Sequence, residues 1–239
     1  MALRLLERLF ESKFEKRFLL LKRLFKGLIF AITLGLSLLG LSSLSNAEMQ
    51  QGLPKVQLET ELGNIVIELF PQAAPITVDN FLKYVDDYYY DGTIFHRVIS
   101  GFMIQGGGYG FDLSMKQTNR APIVNESNNG LNNVRGTIAM ARTSDPDSAT
   151  SQFFINHKSN PSLNNKKNRP GYAVFGQVIE GIEVIDKIAA VETSRQGYHG
   201  NVPVEPVLIL KARLLNPDSW TPLPETTNKL DYEAPIPVR

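Results

Sequence analysis

The stretch FHRVISGFMIQGGG, residues 95–108, joins large apolar side chains to one cation, Arg97, and one neutral amide, Gln105. Arg97 and Ile99 alternate in its first half and Met103 and Gln105 in its second, so each pair shares one face of an extended segment. The Ser-Gly pair between the halves is typical of a bend. The stretch therefore predicts two strands. An arginine among such apolar groups either extends to water, which is the usual case, or meets a polar ligand.

A second segment, SATSQFFIN at residues 148–156, has a similar composition. It places another neutral amide, Gln152, beside two phenylalanines, and it follows the largely apolar RGTIAMAR of residues 135–142. Neither residues 95–108 nor residues 148–156 contain a carboxylate. Their residue types therefore do not suit a hydrolase, but they do suit a pocket that binds a rigid, uncharged, apolar group.

These motifs resemble those of the cyclophilin family of peptidyl-prolyl isomerases. Residues 95–108 match the family's FHR-x-x-x-GFM-x-QGG signature, SQFFI at 151–155 matches a second motif, and YAVFG at 172–176 is similar to the segment that closes the family's pocket. The similarity runs from about Val56 to Leu214. It implies a mainly β fold, a closed eight-stranded antiparallel β-barrel capped by two helices.

The resemblance also implies roles for individual residues. Arg97 would stabilise the twisted transition state, and Gln105 would contact the substrate backbone and orient Arg97. The residues that would line the proline pocket and the adjoining groove are Phe102, Met103, Ala141, Gln152, Phe154, Leu163 and Tyr172. We interpret His96 as a buried structural histidine.

Two positions depart from the pattern of many family members. Tyr172 stands where many carry a pocket histidine, and Ser162 stands where many eukaryotic members carry a tryptophan before the pocket leucine. A tyrosine keeps a ring and a hydrogen-bonding tip, so the pocket wall should survive. A serine supplies neither the indole N–H nor its area, and we expect this to weaken inhibitor binding rather than catalysis.

Isomerisation of an X-Pro bond requires no nucleophile and no general base. Its barrier of about 18–20 kcal/mol comes from the partial double bond, and no covalent bond needs to form. At the twisted state the prolyl nitrogen becomes basic, so a donor aimed at it stabilises that state alone. An arginine suits this role because it stays protonated at any working pH. We expect no cofactor and no metal; the chain has no cysteine, and its three histidines lie far apart.

Two functions remain open at this point. The first is an isomerase that assists protein folding, and the second is a non-catalytic scaffold or chaperone that binds proline-containing segments. A scaffold could lose Arg97 without losing binding, so its retention beside the apolar pocket residues favours the enzyme. In either case the expected partners are proline-containing polypeptides, and we expect a monomer.

The charge of the chain is unevenly distributed. The 239 residues carry a formal net charge of +1, but residues 1–27 hold eight Lys/Arg against three Asp/Glu, and residues 28–47 hold neither. The remainder, residues 48–239, carries four more acidic than basic residues. A mildly acidic domain without a basic run is a poor nucleic-acid binder, so we expect no nucleic-acid partner.

The N-terminal region resembles an export signal. LIFAITLGLSLLGLSSL at 28–44 is uncharged and follows basic residues, and SNA at 45–47 offers small residues where a cleavage site needs them. We predict cleavage before Glu48 and transient membrane contact through residues 1–47. The alternative is an uncleaved membrane anchor, but a 17-residue helix spans only about 25 Å of a ~30 Å hydrocarbon core. The predicted destination is the periplasm or a thylakoid-lumen-like compartment.

The resulting organisation has four parts. They are a signal peptide or membrane anchor with a long basic n-region (1–47), a short linker (48–54), the isomerase domain (55–216) and a Pro-rich polar tail (217–239). Within the domain the patterns predict an early β-hairpin at 56–69, helices at 75–87 and 182–189, a loop at 109–133, and strands at 138–141, 153–155, 173–178 and 207–214. Trp220 in the tail is expected to pack weakly on the domain.

Overall fold

The computed structural model describes residues 52–118 and 120–224, and within them a nine-stranded antiparallel sheet dominates the fold. The strand order is β3-β11-β1-β2-β8-β6-β7-β5-β4, with β9 and β10 forming a separate hairpin. The strands are β1 (Lys55–Thr60), β2 (Gly63–Leu69), β3 (Thr93–Ile94), β4 (Arg97–Ile99), β5 (Met103–Gly106), β6 (Thr137–Met140), β7 (Phe153–Asn156), β8 (Val174–Glu180), β9 (Thr193–Gln196), β10 (His199–Pro203) and β11 (Leu208–Leu214). The α-helices are α1 (Pro75–Asp86) and α2 (Ile182–Ala189).

The two edges of the sheet belong to consecutive pieces of chain. Strands β3 and β4 lie at opposite ends of the strand order, yet only Phe95 and His96 separate them. They are halves of one interrupted strand, which is why the sheet has nine strands where the resemblance implied eight. The prediction of a mainly β, antiparallel, barrel-like fold with two helices is confirmed.

Most of the predicted elements are present. The early hairpin is β1–β2, paired from Lys55 opposite Glu68 to Thr60 opposite Gly63. The signature stretch forms the β4–β5 hairpin, and the polar segment after Met140 connects the paired strands β6 and β7. The β9–β10 hairpin has no counterpart among the predictions. Its strands are mostly polar and only Val202 and Pro203 in them are buried, so they lack the apolar alternation by which a strand is recognised.

Helix α1 obtains its N-terminal cap from a distant loop. Pro75 suits the first turn, where no N–H is needed, but Ala74 before it offers no side-chain cap. The carboxylate of the fully buried Glu126 accepts hydrogen bonds from the N–H groups of Ile76 (3.1 Å) and Thr77 (2.7 Å) and from the Thr77 hydroxyl (2.6 Å). A carboxylate at this position also interacts favourably with the positive end of the helix dipole. The loop between β5 and β6 is thereby tied to α1.

The main core fills the space between the inner face of the sheet and the two helices. Phe81 of α1 lies at its centre, with ring centroids 5.2 Å from Tyr90, 5.6 Å from Phe153 and 5.2 Å from Phe175. Alternate residues of β5 to β8 point into this core, among them Ile104, Ile138, Met140, Phe153, Ile155 and Phe175. The residues between them therefore face the other side of the sheet.

The segment after β11 lies against α1. Trp220, which was expected to pack on the domain, is half-buried against the main core. The Asp79 carboxylate accepts the Leu223 N–H at 2.8 Å, and the Lys83 ammonium donates to the Leu223 carbonyl at 3.2 Å. Residues 217–224 of the predicted tail are thus fixed to the domain.

Several predictions fall on residues that the structure does not describe. They are the signal peptide or anchor at 1–47, the first part of the 48–54 linker, and the tail beyond residue 224. In the part of the chain that is described, no helix is both long and apolar enough to span a bilayer.

Candidate active site

A row of directly opposed residues crosses five neighbouring strands on the face turned away from the main core. Arg97 of β4 lies opposite Gln105 of β5, which lies opposite Phe154 of β7. Phe154 lies opposite Ala139 of β6, and Ala139 opposite Val174 of β8. The strand register therefore places a cation and an amide at one end of the row and apolar groups at the other.

The polar end of the row is a short relay of side chains. The Arg97 Nη1 donates to Gln105 Oε1 at 3.4 Å and lies 4.0 Å from the Met103 sulfur. Gln105 Nε2 donates in turn to Gln152 Oε1 at 3.0 Å. Within residues 52–118 and 120–224 the Arg97 guanidinium forms no ion pair with a carboxylate. Neutral groups thus orient this cation without neutralising its charge.

The apolar end is a compact cluster, called here the outer cluster. Its buried members are Met103, Ala139, Phe154 and Val174, and the half-buried residues packed on them are Ile99, Phe102, Leu131, Ala141, Leu163 and Tyr172. The structure therefore brings together all nine residues that the sequence analysis named, with Arg97, Gln105 and Gln152 beside the other six. Their individual roles stay predictions.

Four members of the outer cluster were not anticipated: Ile99, Leu131, Ala139 and Val174. Ile99, Ala139 and Val174 lie on strands. Each is two positions from a residue that the sequence analysis named, so the period of two along a strand could have identified them. Leu131 lies in the irregular segment between β5 and β6, where no periodicity points to a contact.

Tyr172 forms one wall of the outer cluster. Its ring lies nearly perpendicular to that of Phe154, with centroids 5.6 Å apart, and the Arg142 guanidinium lies 4.5 Å from its centre. Arg142 is fixed by the backbone carbonyls of Pro170 at 2.9 Å and Gly171 at 3.2 Å. The cation–π contact therefore holds Tyr172 in place at the position where many family members carry a pocket histidine.

Buried asparagines join the backbone on two sides of the outer cluster. Asn160 Nδ2 donates to the carbonyl of Phe102 at 2.9 Å and to Asn156 Oδ1 at 2.7 Å. Asn156 Nδ2 donates to Asn133 Oδ1 at 3.2 Å, and Asn133 Nδ2 donates to the Tyr172 carbonyl at 3.4 Å. This chain of amides couples the position of Phe102 to that of Tyr172.

The glycines that follow Gln105 make room for side chains of the main core and of the relay. Gly107 has a φ of +80°, and a Cβ there would lie 2.9 Å from both the Phe153 and Tyr90 rings. A Cβ at Gly108 would overlap the Gln152 side chain, which lies across this glycine to reach Gln105. The run of glycines thus has a packing explanation.

His96 is buried beside the site and takes no part in the relay. Its ring lies 4.5 Å from that of Tyr109, which lies 5.1 Å from His199, and its Nδ1 has no partner among the described residues. Burial, followed by the nearby His199 and Arg97, lowers the pKa of His96 to about 4. The burial agrees with the interpretation of His96 as a structural residue.

The depressed pKa of His96 predicts acid sensitivity. The unfolded chain binds a proton at this imidazole below about pH 6.5, while the folded protein resists it until about pH 4, so stability falls as the pH falls through that window. Between pH 7 and pH 5 we expect a loss of roughly 2 kcal/mol. Urea unfolding at both values, on the natural chain and on His96→Gln, measures it. An equal pH dependence in the two proteins would exclude His96 as its source.

The comparisons with known proteins agree with this geometry. The model of the cyclophilin type peptidyl-prolyl cis-trans isomerase/CLD family matches residues 55–214. A peptidyl-prolyl cis-trans isomerase of Acinetobacter baylyi is 53% identical over 184 residues, which cover 77% of this chain and 94% of the relative. Peptidyl-prolyl cis-trans isomerase B of Escherichia coli is 52% identical over 157 residues, covering 64% and 95% respectively.

A solved structure of a cyclophilin-type isomerase has a similar fold. It is a Cryptosporidium parvum cyclophilin type peptidyl-prolyl cis-trans isomerase in the presence of the dipeptide Ala-Pro, and it superimposes with a TM-score of 0.56 at 29% identity, covering 67% of this chain and 98% of that one. The chain belongs to the cyclophilin-type peptidyl-prolyl cis-trans isomerase family, a class of enzymes. No set of three or more Asp, Glu or His side chains in the described residues is arranged to hold a metal ion.

Proposed function

We propose that this protein accelerates rotation about X-Pro bonds in exported polypeptides and thereby assists their folding. The observation that carries the proposal is the row in which Arg97 and Gln105 adjoin the outer cluster, with no carboxylate paired to Arg97 among the described residues, in a chain that belongs to an isomerase family. An apolar surface beside an oriented cation suits a proline ring next to a peptide bond whose nitrogen becomes basic on twisting.

The catalytic step assigned to Arg97 follows from differential binding. A planar X-Pro amide offers no basic nitrogen, whereas the twisted amide does, so a guanidinium N–H aimed there binds the transition state better than the ground state. Gln105 keeps Arg97 in place by accepting its N–H at 3.4 Å, and Gln152 holds Gln105. In the proposal Gln105 also contacts the substrate backbone.

The outer cluster supplies the binding surface in this proposal. Phe102, Met103, Phe154 and Leu163 take the proline ring, Ala141 and Gln152 line the groove for the preceding residues, and Tyr172 forms the wall. The Ala-Pro dipeptide present with the Cryptosporidium parvum relative supports a proline-containing peptide as the ligand. One chain contributes all of these residues, so in the proposal the site is complete within a monomer.

A protease-coupled assay on a proline-containing peptide tests the enzymatic function against the scaffold. An isomerase speeds the cis-to-trans step in proportion to its concentration, whereas a scaffold binds the same peptide and leaves the rate at that of the uncatalysed reaction. Binding without acceleration would refute the proposal and establish the scaffold.

The exported location rests on the sequence of residues 1–47. A basic n-region, an apolar run and a small-residue site together support a signal peptide. N-terminal sequencing of the protein isolated from cells tests this, with Glu48 as the expected first residue. A chain that retains Met1 and stays with the membrane fraction would instead establish an anchored enzyme.

Cyclosporin binding in this family draws on the tryptophan before the pocket leucine, so we predict that this chain, with Ser162 at that position, is only weakly inhibited. Ser162 is exposed in a 3₁₀-helix (Pro161–Leu163), next to Leu163 of the outer cluster, where an indole would add about 150–250 Å² of ring surface and one donor. We expect Ser162→Trp to tighten inhibition by about tenfold or more, with little change in kcat/KM. Inhibition titrations on the natural chain, Ser162→Trp and the control Ser162→Ala measure this. Nanomolar inhibition of the natural chain would contradict the prediction.

A further inference from the structure

The turn that presents Phe102 to the outer cluster is exposed and needs outside support. It joins β4 to β5, is closed by a hydrogen bond from the Phe102 N–H to the Ile99 carbonyl at 3.0 Å, and contains Gly101 with a φ of +71°. Gly101 is solvent-exposed and would have open space around a Cβ, so packing does not fix it. Hydrogen bonds must therefore define where this turn lies.

Those hydrogen bonds come from the segment after β7. The Phe102 carbonyl accepts the N–H groups of His157 at 3.0 Å and Lys158 at 3.3 Å, together with the Asn160 side chain at 2.9 Å. The N–H of Gly101 donates to Nδ1 of the His157 imidazole at 2.9 Å. His157 thus holds both sides of the turn, one through its backbone and one through its ring.

The His157 ring is itself oriented from α2. Its Nε2 lies 3.1 Å from Asp186 Oδ1, and the Arg135 guanidinium donates to both Asp186 oxygens at 2.7 and 2.9 Å and to the His157 carbonyl at 2.7 Å. Arg135 lowers the pKa of the Asp186 carboxyl, so it is ionised and only accepts. Nε2 therefore carries the proton, which leaves Nδ1 free to accept the Gly101 N–H.

We propose that His157 is a positioning residue for the isomerase site: oriented by Asp186 and Arg135, its imidazole fixes the Gly101–Phe102 turn and so places the Phe102 ring for the proline of the substrate. The inference rests on the proposed function of the outer cluster. It adds to that function a residue that lies outside the cluster and touches no substrate.

The kinetic consequence of this role differs from that of Arg97. Phe102 contacts the proline ring in the ground state and in the twisted state alike, so a displaced turn weakens both to the same extent. Loss of such uniform binding raises KM and leaves kcat unchanged. A merely structural role would lower the amount of folded protein without changing KM.

Two substitutions of His157 distinguish the role of Nδ1, which accepts from Gly101, from that of Nε2, which contacts Asp186. In His157→Asn the side-chain oxygen lies where Nδ1 lies and still accepts the Gly101 N–H, but the side chain is too short to reach Asp186. In His157→Gln the amide nitrogen can still reach Asp186, but no acceptor faces Gly101. We expect His157→Gln to raise KM about fivefold with kcat within twofold, and His157→Asn to stay within about twofold of the natural chain in both.

Amide hydrogen exchange at Gly101 reports the contact directly. We expect slow exchange in the natural chain and in His157→Asn, and faster exchange in His157→Gln, with equal unfolding midpoints for all three. This measurement does not require activity. An inactive natural chain would therefore refute the proposed function, while exchange at Gly101 would still decide whether His157 holds the turn.

Three outcomes would overturn the inference. They are an unchanged KM in a folded His157→Gln, an equal rise of KM in both variants, or a loss confined to kcat. Asp186→Ala provides a second test on α2, away from the outer cluster. The substitution leaves the His157 ring free to rotate, and we expect it to raise KM about twofold. An unchanged KM would show that Asp186 does not orient His157.

Discussion

Replacing Arg97 with alanine is expected to lower kcat/KM by about 100-fold or more, which corresponds to the loss of a transition-state donor worth ~3 kcal/mol. The loss should fall on kcat, because the planar substrate presents no basic nitrogen to the guanidinium. The protease-coupled assay measures it. The fold should survive, since Arg97 is only half-buried and forms no ion pair within the described part of the chain.

Arg97→Lys and Gln105→Ala complete this experiment. Lysine keeps the charge but not the planar guanidinium whose Nη1 donates to Gln105, so it should retain only part of the activity. Gln105→Ala leaves the guanidinium without its orienting acceptor at 3.4 Å and should cost less than the removal of Arg97. A folded Arg97→Ala protein that isomerises at the natural rate would remove Arg97 from the mechanism.

Removal of the Glu126 carboxylate is expected to destabilise the fold strongly. Glu126→Ala leaves two N–H groups at the start of α1 and the Thr77 hydroxyl without their acceptor in a fully buried setting. We expect a loss of about 3 kcal/mol or more in the free energy of unfolding, and a fall in Tm of roughly 6–12 °C.

Urea unfolding measures this loss, and two further variants are compared with Glu126→Ala in the same experiment. Glu126→Gln keeps one acceptor but turns an amide donor toward the N–H groups of the helix, so it should be intermediate. Glu61→Ala, in the exposed β1–β2 turn, should stay within about 0.5 kcal/mol of the natural chain. If Glu126→Ala were as mild as Glu61→Ala, the capping of α1 from the distant loop would not contribute to stability.

The hairpins show how far the sequence reaches into the fold. β1 alternates half-buried and buried residues and joins the largely buried β2 over a short connection, and β4 and β5 flank a Ser-Gly bend. The apolar pattern and the turn residues therefore predict both hairpins. β9 and β10 have only Val202 and Pro203 buried between them, and no pattern distinguishes them from a loop. The strand count differs for a related reason, because nothing local marks the interruption at Phe95 and His96.

The sequence by itself determined the family and the barrel-like class, because contiguous motifs carry the resemblance to the family. It also predicted nine site residues, and the structure brings these nine together. The tertiary structure alone decided the contacts between distant segments. Glu126 reaches Thr77 across 49 positions, Gln105 reaches Gln152 across 47, and His157 links the turn at Gly101 to Asp186 of α2. The physical reason is that a hydrogen bond depends on atoms brought within about 3 Å of each other, and the path of the whole chain fixes that distance rather than any local pattern.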